Sequence, residues 1–221
     1  MVKQERAART RQALMRAAAE VFAREGFAPA SLAAISARAG VSNGALHFHF
    51  ENKNALARAV EREAAAVLAK ITAVPDAVPD AVPDAVPGDA PGGVPGGSLQ
   101  VLVDATHALM GALADDPVVR AGFDLSADAS RQGGPCLRGV WRGWVEEMLQ
   151  RAEREGDLAE GVSSRGAAPA VVAATVGFEV LGAVDREWLS APKITGFWEL
   201  MLPRLAPGRP LTPAGPRTTP P

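Results

Sequence analysis

The stretch SLAAISARAGVSNGALHFHF, Ser31 to Phe50, decides how the rest of the chain is read. Ser31 is placed to cap a short helix whose Leu32, Ile35 and Ala39 face inward. Gly40 ends that helix by supplying the backbone freedom that a sharp turn needs. Val41 is a small apolar plug, and Ser42 caps a second helix that carries Leu46. Two short helices joined by the tight turn Ala39-Gly40-Val41 are helix-turn-helix grammar, in which the second helix enters the major groove of DNA. That helix opens Ser42-Asn43-Gly44-Ala45, small residues whose backbone can come close to phosphates. His47 and His49 add polar side chains for the DNA face. Phe48 and Phe50 read as core. The two histidines lie two apart, point to different faces of a helix and make no metal pair.

Upstream, Leu14, Ala17, Ala18, Val21 and Phe22 form one apolar stripe at helical spacing. Gly26 stops that helix and leaves Phe27 to tuck beneath it. Arg6, Arg9 and Arg11 precede this bundle and can reach the DNA backbone or minor groove. Downstream, Asn52 caps a connecting helix near 52–72, with Leu56, Ala59, Val60, Glu63 and Val67 on one stripe. Glu63 is the polar exception there, and Lys53 in the first turn is placed for a phosphate. The charge balance agrees with a polyanion partner at this end. Residues 1–70 carry 11 Lys/Arg and 6 Asp/Glu, whereas the remainder carries 12 and 19.

The residues TRQALMRAAAEVFAREGF and SLAAISARAGVSNGALHFHFENKNALARAV, from about Arg9 to Leu68, resemble the DNA-binding domain of the TetR family of one-component repressors. The family ending of a small residue and Leu, a Tyr, an aromatic, His, Phe and then a Lys is matched by ALHFHF and Lys53. Two positions depart from it: His47 stands where the family has Tyr, and Asn43 where a Lys is frequent. The resemblance implies double-stranded operator DNA as partner, a homodimer, and contacts from Ser42, Asn43, Gly44, Ala45, His47, His49 and Lys53.

Past the first seventy residues, the pattern predicts helices near 98–114, 117–127, 137–155, 168–189 and 194–205, and no period-two strand. The chain reads as all-α. Its organisation reads as a DNA-binding domain at 1–72, an AVPD-repeat linker at 73–97, a helical ligand and dimerisation domain at 98–205, and a disordered tail at 206–221. Proline every fourth residue excludes sustained helix in the linker. The apolar run Ala167–Val184 contains Glu179, which favours a helix buried in protein over a membrane span. No targeting segment is evident, and one cysteine, Cys136, suits a reducing cytoplasm. No catalytic motif, cofactor fingerprint or metal-ligand spacing occurs, so an enzyme is not expected.

The segment PVVRAGFDL at 117–125, then Trp141, then Gly156-Asp157-Leu158, is similar to the γ-butyrolactone autoregulator receptors of actinomycetes, a TetR subfamily. The resemblance implies a small-molecule effector, with Trp141 as pocket wall and Thr175, just before Val176-Gly177, as its polar residue. Trp144, Phe123 and Phe178 are further candidates for the ligand site. The helices at 168–189 and 194–205 are expected to form a two-fold interface, since small residues, Ala173, Ala174, Gly177 and Gly182, permit close packing there. Two other readings remain open: a multidrug-responsive repressor of an efflux pump, with Glu179 as counter-charge, and a pseudo-receptor that answers to an antibiotic.

Overall fold

The computed structural model describes residues 2–73, 97–128, 131, 134, 136–209 and 211–215. Among them the regular structure is entirely helical: α1 (Val2–Glu25), α2 (Leu32–Arg38), α3 (Asn43–His49), α4 (Lys53–Ile71), α5 (Gly97–Asp115), α6 (Pro117–Ala127), α7 (Leu137–Arg154), α8 (Ser164–Gly182) and α9 (Ala191–Leu205), with a 3-10 turn at Arg186–Leu189. Most of the predicted linker, residues 74–96, lies outside the described residues, as does the end of the predicted tail.

Two compact units form, and their boundaries differ from the expected domains. The first comprises Met1–Lys70 and Ala112–Val140; the second comprises Ile71–Gly111 and Trp141–Pro221. Helix α6, assigned from sequence to the ligand domain, thus belongs to the first unit. The reason lies in its apolar face. Val118, Ala121 and Leu125 complete one hydrophobic core with Leu14, Ala18, Val21 and Phe22 of α1, Ile35 of α2, Leu46 of α3 and Leu56 and Val60 of α4. Gly122 allows the close approach: a Cβ there would lie 2.3 Å from the Ala64 Cβ on α4.

Local capping follows the sequence closely in the first unit. Ser31 Oγ accepts from Ala34 N at 3.1 Å, Ser42 Oγ from Ala45 N at 3.2 Å, and Asn52 Oδ1 from Ala55 N at 2.8 Å. Gly40 takes φ +68°, the left-handed region in which a Cβ is costly. One stripe on α4 is corrected. Inward residues are Leu56, Ala57, Ala59, Val60, Glu61, Ala64 and Leu68, so the buried acid is Glu61, 1% exposed, and Glu63 faces solvent. Both alternatives fit a helical stripe, Glu63 three residues on from Val60 and Glu61 four on from Ala57; the buried Arg131 selects the Glu61 side.

In the second unit α8 starts a turn earlier than expected. Ser163 caps it, accepting from Gly166 N at 3.2 Å, and Pro169 sits inside the helix. The helix also stops at Gly182, because Asp185 caps a separate 3-10 turn. Residues 209–215 correct the expectation of a frayed tail wherever they are described. Gln100 on α5 pairs with the Thr212 backbone on both sides, Nε2 donating to its carbonyl at 3.1 Å and Oε1 accepting from its N–H at 2.7 Å. His107 Nε2 donates to the Pro213 carbonyl at 2.9 Å, and Arg209 pairs with Asp157 at 2.6 Å. No helix among the described residues is long and apolar enough to cross a membrane.

Candidate DNA-reading and effector sites

Helix α3 is held as a rigid ledge. Leu46 and Phe50 are buried, while Ser42, Asn43, Gly44, His47 and Phe48 are exposed and Ala45 and His49 are half-buried. Asn43 is anchored as well as exposed, since its Oδ1 accepts from Ser36 Oγ of α2 at 2.5 Å. Arg11 of α1 lies 4.5 Å over the Phe50 ring and donates to the His49 carbonyl, tying α1 to the end of the reading helix.

Two placements differ from the sequence expectation. Phe48, read as core, is 81% exposed, its ring edge-on to His49 at 5.1 Å. The signal was available: with Leu46 and Phe50 inward at i and i+4, the residue midway between them points away. A large apolar side chain on a DNA-facing helix suits a thymine methyl or a sugar, and cannot donate to phosphate. Lys53, expected at a phosphate, instead donates to three carbonyls of the α1–α2 turn: Phe27 at 2.9 Å, Ala28 at 2.9 Å and Ala30 at 2.8 Å. An ammonium has three N–H donors, and all three are used here. Its nearness to the Phe27 ring, 4.7 Å from the centroid, adds a cation–π contact.

In the second unit the structure brings together three of the candidate effector residues. Trp141, 1% exposed on α7, donates its indole N–H to Thr175 Oγ1 of α8 at 2.9 Å. Thr175 in turn donates to a carbonyl one turn back, Val171 at 2.9 Å or Val172 at 3.1 Å. Trp144 stacks on Trp141 with centroids 5.2 Å apart and planes at 25°, and its own buried indole N–H has no hydrogen-bond partner among the described residues. Phe178 sits apart from this pair in an aromatic group with Phe197 at 5.7 Å and Trp188 at 6.3 Å. Phe123 is buried in the first unit.

A helix-turn-helix on a small α-helical core, joined in one chain to a helical unit rich in buried indole, defines a DNA-binding regulator rather than an enzyme. The comparisons with known proteins give that class its family. Residues 14–60 match the bacterial regulatory proteins of the tetR family. The chain is 29% identical over 208 residues to the A-factor receptor protein of Streptomyces griseus, covering 93% of this chain and 67% of that protein. It superposes on the crystal structure of a γ-butyrolactone receptor described as ArpA-like with a TM-score of 0.72 at 25% identity, over 92% and 91% of the two chains. CprB from Streptomyces coelicolor, in complex with its biological operator sequence, matches with a TM-score of 0.68 at 26% identity, over 92% and 91%. Residues 14–60 thus match the tetR-family DNA-binding domain, and over nine-tenths of its length the chain resembles the γ-butyrolactone receptors.

Proposed function

We propose that the protein is a homodimeric repressor, released from a pseudo-palindromic operator by a small γ-butyrolactone-like signal in the control of secondary metabolism. The observation that carries this reading is the buried Trp141–Thr175 hydrogen bond with Trp144 stacked beside it. A lactone ring with an alkyl chain needs a flat apolar wall and a donor aimed at its carbonyl. The paired indoles offer the wall. The Trp141 donor is already engaged by Thr175, so the free Trp144 N–H is the natural partner for the carbonyl.

Ser42, Asn43, Gly44, Ala45, His47 and His49 would carry the DNA contacts, with Phe48 beside them, and Lys53 would act by bracing the turn ahead of α2. Dimerisation is supported by apolar residues left open on the last elements of the second unit: Val180 at 47%, Leu181 at 44%, Val184 at 93% and Leu200 at 66% exposure. Emptying an operator nearly completely requires a preference of about 5.5 kcal/mol for the released state. Indole contact, one hydrogen bond and a buried alkyl chain together reach that range.

The test is titration of a synthetic γ-butyrolactone against the protein on an operator duplex selected from a random library. Release should be accompanied by tryptophan quenching. Trp141→Phe keeps most of the ring but loses the donor to Thr175; it should hold the duplex normally and need at least about tenfold more lactone for release. Release by a cationic dye, with no response to lactones, would defeat the butyrolactone reading.

A further inference from the structure

Sequence separation makes one contact in the first unit unexpected. Arg131, on the connection between α6 and α7, reaches Glu61 of α4 with a forked pair of hydrogen bonds, Nη1 to Oε1 at 2.7 Å and Nη2 to Oε2 at 3.3 Å. Both side chains are almost fully buried, at 9% and 2% exposure. The same guanidinium lies 4.5 Å over the ring of Phe27, in the turn between α1 and α2, and Nη1 also donates to the Leu125 carbonyl. Gly134 completes the closure: a Cβ there would come within 2.9–3.1 Å of the Glu61 carboxylate.

The turn touched by Arg131 is the one that Lys53 braces through its carbonyls, and it leads directly into α2 and the reading helix. We propose that Arg131 is a positioning residue, by which the α6–α7 connection holds the α1–α2 turn in its DNA-reading arrangement. A planar guanidinium is what this requires, since it forks onto a carboxylate and lies flat on an aromatic ring at once, and lysine does only part of either. The proposal rests on α3 being the DNA-reading helix, as argued above.

Hydrogen–deuterium exchange of the turn amides of Phe27, Ala28 and Ala30 is the primary readout and needs no DNA, so it separates this proposal from the repressor reading. Arg131→Lys should raise turn exchange several-fold while the α1 amides at 14–22 keep their protection. Removing one buried charge alone could unfold the unit, so the stronger variant is the double replacement Glu61→Met with Arg131→Met, which keeps the volume apolar. It should melt cooperatively, exchange the turn about tenfold faster and bind a library-selected operator duplex about tenfold more weakly. Turn exchange equal to wild type in the folded double variant would overturn the proposal, as would faster exchange spread evenly over the whole unit. Failure of the wild-type protein to bind any duplex would count against the repressor reading instead.

Discussion

The two units differ in what they do with buried polar groups. In the first, cations brace backbone and carboxylate: Lys53 caps three turn carbonyls, and Arg131 forks onto Glu61 through both Nη atoms, leaving only its buried Nε without a partner among the described residues. In the second, indole donors are buried, and those of Trp144 and Trp198 have no hydrogen-bond partner among the described residues. A satisfied polar network fixes one arrangement, whereas an unmatched buried donor is a standing cost that a suitable acceptor relieves. On that contrast the first unit is the stiffer of the two.

That contrast can be broken most severely at the glycines. Gly122→Ala sets a methyl 2.3 Å from the Ala64 Cβ of α4, and neither helix can yield without parting. It should cost about 2 kcal/mol, net of the ~1 kcal/mol that alanine returns in helix propensity, and lower the melting temperature by roughly 4–8 °C. The same change at Gly182 in the second unit meets only the rotatable side chain of Leu189 at 2.4–2.8 Å. Its cost should stay below about 1 kcal/mol. Equal losses in the two variants would mean that the first unit is no stiffer than the second.

Lys53→Ala probes the bracing directly. Loss of three charge-assisted bonds to the half-buried turn should cost about 1–2 kcal/mol and weaken binding to all duplexes alike. The salt dependence distinguishes a brace from a phosphate contact. A brace leaves the slope of log affinity against log salt unchanged, whereas a lost phosphate contact reduces it by about one.

The smallest effect expected is at Asp104 on α5, whose carboxyl is held above the usual range by burial, against a hydrogen bond from Gln100 and the charge of His107. A raised folded-state pKa means that the folded protein keeps its proton longer than the unfolded chain. Stability then falls as pH rises from the unfolded to the folded value. Asp104→Asn should thus raise the melting temperature slightly at pH 7, and the gain should vanish as pH drops through the ordinary carboxylate range.

Much of the first unit was legible because its signals are local. The caps at Ser31, Ser42 and Asn52 and the turn at Gly40 lie within four residues of what they satisfy, so spacing alone locates them. The failures there are long-range. Glu61 and Glu63 both fit a helical stripe, and only Arg131, 70 residues away, decides between them. Lys53 matches a family position, but its three carbonyl partners lie 23 to 26 residues back, in a turn whose shape no pattern specifies. Phe48 was misread for another reason: residue type suggested core where the period pointed outward. In the second unit Trp141 and Thr175 are singled out only by resemblance, and their direct bond across 34 residues carries no trace in periodicity.

The strap at 209–215 has a consequence for how the molecule is born. Gln100 is separated from Thr212 by 112 residues, and His107 from Pro213 by 106. At a synthesis rate of roughly 5–20 residues per second, α5 leaves the ribosome some 5–20 s before its strap exists. During that interval its outer stripe of Gln100, Asp104 and His107 is polar enough to wait in water without attracting strangers. Residues 211–215 then close over a helix made long before them, so a chain cut short before residue 209 would keep every described helix and lack only this fastening.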